Sequence, residues 1–251
     1  MRIDVLTLFP GMFTGVLGDS MLKRAQAKGL VDIRVHNLRD WTHDTRRTVD
    51  DKPFGGGPGM VLKPEPVFEA CDQLLTAQTH CILLTPQGAP LTQDVARDLQ
   101  QQKKRLLLIC GHYEGFDERI RSLADQEISI GDYVLTGGEV PALVVINSVV
   151  RLIPGVLGEE YSLETESFTH GVLEYPQYTR PRAYRGKKVP AVLLSGDHGR
   201  IESWRSQQAL QRTAARRPDL FAQYQNALQQ KEEKHVPKKG RPQKVPRIRS
   251  R

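Results

Sequence analysis

The chain has 251 residues, 39% of them hydrophobic, with a formal net charge of +7. That length and apolar content suffice for one large globular domain, or for a domain with a smaller partner, and exclude a wholly disordered polymer. From Lys231 to Arg251 nine Lys or Arg stand against two Glu, so the tail carries the whole positive excess and the body is nearly neutral.

The opening MRIDVLTLF has Asp4 inside its apolar run and no small-residue cleavage pattern, so it reads as a buried first strand and not as a signal peptide. A helix is expected from about Met12 to Lys28, then VDIRVHNL as a second strand. TVDDKPFGGGPGM follows, with four glycines between Phe54 and Met60. A P-loop needs Lys and Ser or Thr directly after its last glycine, and here Met60 and Val61 follow Gly59, which excludes that reading. PEPVFEACDQLL, with proline in its first turn, is expected to be helical. The strand CILLTP, a helix through Leu99, the strand RLLLICG, a short helix from about Asp117 to Leu123 and the strand EISIG come next. The apolar helix after DYVLTGGE ends near Arg151; its run VPALVVINSVV is interrupted by Asn147 and falls short of the roughly 20 residues that span a bilayer. This alternation predicts an α/β fold with a mostly parallel sheet covered by helices on both faces, in a soluble, cytoplasmic protein.

From Ile153 to about Pro190 the periodicity gives way to a long stretch rich in Gly, Pro and Tyr, of the kind that links or functions. Beyond it a short strand at VLLS and two helices are expected, Asp197 serving as N-cap and Pro218 opening the last helix. The tail is too poor in hydrophobic residues to fold alone and reads as disordered, either an electrostatic arm for nucleic acid or a solubilising extension. The expected organisation is 1–160, an α/β domain; 161–190, a flexible connector; 191–230, a helical domain; and 231–251, the basic tail. Cys71, Cys81 and Cys110 lack the spacing of a zinc or dithiol site and read as buried thiols.

In open α/β sheets ligands bind outside the carboxyl ends of the strands. Three such loops are rich in glycine or proline: QGAP after the third long strand, HYEGFDER after the fourth and DYVLTGGEVP after the fifth. The turn after the first strand, PGMF, has a single glycine and cannot serve as a dinucleotide fingerprint. A cleft lined by backbone groups of the middle loops is therefore the candidate site.

The motifs DVLTLFP, KPFGGGPGM, CGHYEGFDERI, SIGDYVLTGGEVPA, RLIPGVLG, YPQYTRP, LLSGDH and RRPDL, in this order from Asp4 to Leu220, resemble the bacterial tRNA (guanine-N1)-methyltransferase family, TrmD, of the SPOUT class. The resemblance implies a deep trefoil knot in the carboxyl-terminal part of the sheet, an obligate homodimer with its active site across the interface, S-adenosylmethionine as methyl donor and N1 of the guanosine at tRNA position 37 as acceptor. It implies a donor site at Leu84, Pro86, Gly111, Tyr113, Glu114, Ser129, Ile130, Gly131, Asp132, Tyr133, Val134, Leu135, Gly137, Gly138 and Pro141. The family's general base is an aspartate before a Ser-Phe pair; here Glu166 precedes Ser167 and Phe168, and is the candidate base. Arg151 matches the arginine that orients that carboxylate. Asp50, Arg180, Arg182, His198, Arg205 and Arg216 are candidate tRNA contacts, and FGGGPGM reads as a wall poor in side chains beside the methyl-transfer cleft. The resemblance also suggests an assisting divalent ion such as Mg²⁺, although no cluster has the ligand spacing of a dedicated metal site. Two competing readings stand beside the enzyme: a non-catalytic RNA-binding protein, and a knotted methyltransferase acting on ribosomal RNA.

Overall fold

The computed structural model of the chain describes residues 1–102, 105–158 and 165–235. The chain divides into two units, Met1–Glu160 and Tyr161–Arg251.

In the first unit, among the described residues, five strands form one sheet: β1 (Arg2–Thr7), β2 (Asp32–Asn37), β5 (Thr79–Pro90), β6 (Arg105–Cys110) and β7 (Gln126–Ser129). Their spatial order is β2-β1-β6-β5-β7, and every pairing is parallel. The short strands β3 (Asp50–Asp51) and β4 (Val61–Leu62) pair antiparallel and close the glycine-rich segment into a loop. Side chains alternate across the sheet, as the period of two requires. Ile3, Val5, Leu106, Leu108 and Cys110 pack with α1 (Gly11–Leu17), α2 (Ser20–Ala27), α4 (Gln93–Gln102) and α5 (Glu139–Val150). Leu6, Cys81, Leu83, Leu107 and Ile109 pack on the other face with α3 (Pro64–Leu74) and with Leu38 and Ile120 of two 3-10 turns. The three cysteines are buried. A hydrogen bond with Cys71, followed by burial, pushes the Cys81 thiol up.

Two elements expected in this unit are corrected. The helix expected from Met12 to Lys28 is two helices: the Gly18 N–H closes α1 on Thr14 C=O at 3.0 Å, and Asp19 Oδ1 accepts from Ser20 N at 2.7 Å to start α2. The turn expected at QGAP belongs to β5, which pairs Leu84 with Ile128, bulges, and then pairs Ala89 with Ile128 and Pro90 with Ser129. That slip depends on a neighbour distant in sequence, and no local pattern signals it.

The second unit holds a hairpin, β8 (Ala183–Tyr184) with β9 (Lys187–Lys188), then α6 (His198–Arg216) and α7 (Pro218–His235). Asp197 caps α6, its carboxylate accepting from Arg200 N at 3.0 Å, and Pro218 opens α7. The strand expected at VLLS is a 3-10 turn, Ala191–Leu194, closed by Leu193 N to Pro190 C=O at 3.1 Å and by Ser195 Oγ donating to Val192 C=O at 2.7 Å. Helix α7 also runs through residues 231–235, the start of the segment expected to be disordered; its Gln, Lys and Glu residues are good helix formers and continue the turn. The rest of that tail, 236–251, and the start of the expected connector, 161–164, lie outside the described residues. Among the described residues no helix is long and apolar enough to cross a membrane.

At the amino-terminal end of the sheet Asp4 is fully buried, yet it is charged. Arg2 Nε and Nη2 donate to its two oxygens at 2.9 Å each, Arg105 Nε donates at 3.1 Å, and His36 Nε2 lies 2.8 Å from Oδ1. Burial alone would raise this carboxyl; hydrogen bonds from His36 and Arg2 and the charges of Arg2 and Arg105 outweigh it and hold the group well below the usual carboxylate range. A depressed carboxyl stabilises the fold above its unfolded value of about 4 and loses that contribution as pH falls toward the folded value. Asp4→Asn is expected to reduce the unfolding free energy by ~3 kcal/mol at neutral pH, because Arg2 and Arg105 lose their charged acceptor and His36 its carboxylate partner. Denaturant titrations at several pH values check this: the gap to wild type should be constant from pH ~7 to ~5 and shrink below ~4, whereas a gap unchanged in acid would refute it.

Candidate active site at the carboxyl ends of the strands

The loops after β5, β6 and β7 meet at one end of the sheet around a cleft of about 380 Å³. Such a volume lies in the range of small-molecule sites. Leu84, Pro86, Ile128, Ile130, Leu135 and Pro141 give it apolar side chains, and Gly111, Gly131, Gly137 and Gly138 give it main chain without side chains. Tyr113, Glu114, Ser129, Tyr133 and Val134 complete the lining among the residues named from the sequence. Asp132 does not line the cleft and is exposed.

The shape follows from close backbone contact. Gly138 N donates to Gly111 C=O at 2.8 Å, which pins the start of α5 to the end of β6. A Cβ on Gly138 would stand 2.6 Å from Cys110 Cα and 2.8 Å from Gly111 N, so no other residue fits without moving main chain. After β7, Ser129 Oγ accepts from Gly131 N at 3.2 Å and donates to Gly131 C=O at 3.1 Å, turning the chain sharply. Tyr133 Oη closes the same turn on Ile130 C=O at 3.2 Å.

Behind Gly137 and Gly138 stands Glu139, the first residue of α5, only 2% exposed. Thr7 Oγ1 donates to its Oε1 at 2.6 Å and accepts from Phe9 N at 3.0 Å. Burial, and then the charge of Glu139, push the Cys110 thiol well above its ordinary range. His112 packs edge-on against Tyr113, with ring centroids 4.8 Å apart, and its buried Nδ1 has no hydrogen-bond partner.

Residues that sequence reading did not single out also shape the cleft: Thr85, Gln87, Gly115, Phe116, Glu118, Arg121 and Thr136. Arg121 binds Glu127, Glu118 and Gln87, tying the bulge of β5 to β7. Nothing in ERIRSL signals this; the residue looks like a surface arginine of a short turn.

The glycine-rich loop reaches the cleft from the side. Glu114 N donates to Met60 C=O at 3.0 Å, Leu62 N to Gly115 C=O at 3.0 Å and Asp117 N to Leu62 C=O at 3.0 Å. Gly59 lies against the Glu114 side chain, whereas Gly55, Gly56 and Gly57 face open space at φ of 86°, 79° and 124°. Phe54 is fully exposed. Asp50 sits in β3, paired with Leu62.

The other named residues lie elsewhere. Arg151, C-cap of α5, lines a second groove of about 450 Å³ with Asp19, Ser20, Asn147 and Val150. In the second unit Glu166 opens a compact turn: Thr169 N donates to Glu166 C=O at 3.3 Å, Phe168 N to Val172 C=O at 2.9 Å and Glu174 N to Ser167 Oγ at 3.0 Å. Arg180, Arg182, His198 and Arg216 are exposed. Arg205 is placed differently, its guanidinium 4.7 Å over the Tyr175 ring and its buried Nε without a hydrogen-bond partner. Among the described residues no group of three or more His, Cys, Asp or Glu is placed to hold a metal ion.

A parallel α/β sheet with a cleft at the carboxyl ends of its strands places the protein among open α/β folds, whose small-molecule sites lie at this end. The family model described as tRNA (Guanine-1)-methyltransferase TrmD matches residues 1–223, and the chain belongs to that family. Relatives named tRNA (guanine-N(1)-)-methyltransferase agree. That of Dictyoglomus turgidum is 57% identical over 221 residues, covering 88% of this chain and 90% of its own. That of Geobacillus kaustophilus is 56% identical over 235 residues, covering 92% and 96%. That of Staphylococcus carnosus is 57% identical over 226 residues, covering 89% and 92%. As a member of this family the chain is a methyltransferase, and the family implies S-adenosylmethionine as donor.

Gly138→Ala is expected to lower the unfolding free energy by ~2 kcal/mol, since the added methyl overpacks main chain. Gly158→Ala, where none of the described residues lies within 4 Å of the added atom, is the control and should shift it by less than ~0.5 kcal/mol. Denaturant melts of both variants decide; equal, small shifts would show that the loops yield.

Proposed function

We propose that the protein transfers the methyl group of S-adenosylmethionine to N1 of the guanosine at tRNA position 37, beside the anticodon, with Glu166 as general base. Family membership supports the reaction, and one observation carries the site: of the donor positions that the resemblance implies, all but Asp132 line a single cleft. The residues present suit a nucleoside. Leu84, Pro86, Ile130, Leu135 and Pro141 offer apolar faces to a purine, and Gly111, Gly131, Gly137 and Gly138, bare of side chains, let a ligand approach the main chain closely. Bound there, S-adenosylmethionine supplies an electrophilic methyl on a sulfonium.

The protein's task is alignment and proton removal. Guanine N1 bears a proton at neutral pH; the Glu166 carboxylate accepts it as the N1–methyl bond forms and the methyl–sulfur bond breaks. Glutamate stands one methylene farther from the main chain than the family's aspartate, and the turn bonded through Ser167, Phe168 and Thr169 presents it. Arg151 orients that carboxylate. A homodimer unites these parts across its interface. Phe9, Met12 and Val16, at and beside α1, and Val140 and Val144 of α5, which packs on α1, are exposed large apolar side chains that a second copy would cover. The resemblance carries the trefoil knot, formed by the loops around β5, β6 and β7, and an assisting divalent ion. Arg180, Arg182, His198 and Arg216, exposed in the second unit, meet tRNA phosphates, with Asp50 near the incoming guanine and Arg205 holding Tyr175.

Incubation of the full chain with methyl-labelled S-adenosylmethionine and a tRNA bearing guanosine at positions 36 and 37 should place label on N1 of guanosine 37. Label confined to ribosomal RNA fragments, or to nothing, would overturn the proposal. In Glu166→Ala, donor affinity should stay within about twofold of wild type while single-turnover methyl transfer falls roughly 10²–10⁴-fold; unchanged transfer would remove Glu166 from the base role.

A further inference from the structure

Glu139 is the buried ionisable group that the proposed reaction does not use. A carboxylate 2% exposed is costly to keep charged, and a Thr–Glu contact alone would be served as well by an uncharged amide. Two features nonetheless favour the anion. Glu139 is the first residue of a 12-residue helix, where the dipole stabilises negative charge. Thr7 Oγ1, having accepted the Phe9 N–H, turns its own proton toward Glu139 Oε1 at 2.6 Å. The partner is neutral, and among the described residues no Lys or Arg forms an ion pair with Glu139. Asp4, by contrast, is surrounded by two arginines and a histidine.

The carboxylate also stands close to the cleft. A Cβ on Gly137 would strike its Oε2 and would lie 2.8 Å from His112 Nδ1 and 3.3 Å from Gly111 C=O. Gly137 and Gly111 are both cleft wall, so one layer of glycine main chain separates the charge from the ligand space. Solvent does not screen a charge so placed, and its field reaches the cleft at low effective dielectric.

We propose that Glu139 is a selectivity residue whose buried charge makes the cleft favour the cationic sulfonium of S-adenosylmethionine over the neutral thioether of S-adenosylhomocysteine. The inference rests on the reading of the cleft as the donor site. Methyl transfer removes the positive charge from sulfur, so the product loses an attraction that the donor enjoys. Gly137 is then glycine because a side chain there would push the carboxylate away from the wall.

Calorimetric titration of the full chain and of Glu139→Gln with each ligand separately tests this. The glutamine keeps size and can still accept from Thr7, so a scaffold role would leave both affinities alone or weaken both alike. The expected result is a roughly tenfold loss for S-adenosylmethionine with less than about twofold change for S-adenosylhomocysteine; parallel losses, or none, overturn the proposal. Glu139→Asp, which keeps the charge, should hold the ratio of the two affinities within about twofold of wild type, and a ratio that falls as in the glutamine variant also overturns it. Should Glu139→Gln not fold, the aspartate variant and a wild-type salt series decide. A buried charge keeps the sulfonium preference between about 0.05 and 0.5 M salt, while loss of that preference assigns it to exposed carboxylates. Wild-type protein that binds neither ligand refutes instead the donor-site reading itself.

Discussion

The cleft depends on a contact between two stretches of main chain: the Gly138 N–H meets the Gly111 C=O at 2.8 Å, at a separation that leaves no room for a side chain. Because β6 ends at Cys110 and α5 begins at Glu139, this one bond sets where the apolar helix enters the core relative to the central strand. Alignment of α5 places Ala142, Val145, Ile146 and Val149 against Leu106 and Leu108, and burial of those side chains stabilises the arrangement that the bond defines. The same placement brings Glu139 to Thr7 at the end of β1, so three loops from three strands share one anchor. A cleft built this way has walls of fixed main chain, which need no side-chain ordering when something binds.

The two ends of the sheet solve opposite problems. At the amino-terminal end Asp4 gathers Arg2, Arg105 and His36 into a cluster that ties β1 to β2 and β6. Every oxygen of that carboxylate is paired within the sheet. At the carboxyl end the buried acid has a neutral partner and the walls are glycine. The paired charges and the cleft thus occupy separate ends of the same strands, and the cleft lies where open α/β sheets generally place their sites.

Much of this was legible in the chain because the physical signals are local. Leu106 to Cys110 is a continuous apolar run, as a strand buried on both faces requires, and the caps Asp197 and Pro218 act in the structure as their chemistry dictates. Loops at strand ends that are rich in glycine pointed to the cleft, since only glycine permits the approach seen at Gly138. The features that were not legible depend on partners far away in sequence. The bulge in β5 is a register choice made against β7, and Arg121 acquires its role from Gln87 and Glu127. Glu139 hides as an ordinary first-turn acid after two glycines; only its burial and the reach of Thr7 across 132 residues mark it. Glu166 and Arg151 took their roles from family resemblance, because a carboxylate in a turn and an arginine at a helix end carry no chemistry of their own.

The loop FGGGPGM shows how one composition can serve two physical ends. Gly59 is held closely: it lies against Glu114, and the adjoining Met60 and Leu62 are bonded into the loop after β6, so this end backs the loop that lines the cleft. Gly55, Gly56 and Gly57 have nothing within 4 Å, so packing does not explain them; their positive φ values do, since a side chain at these angles is strained whatever the space. The run therefore folds the chain back from Phe54 toward β4 at angles that glycine adopts freely: it is anchored at Gly59, Met60 and Leu62 by contact and hydrogen bonds, and bare from Gly55 to Gly57 because a side chain would be strained there and nothing would be gained by packing one.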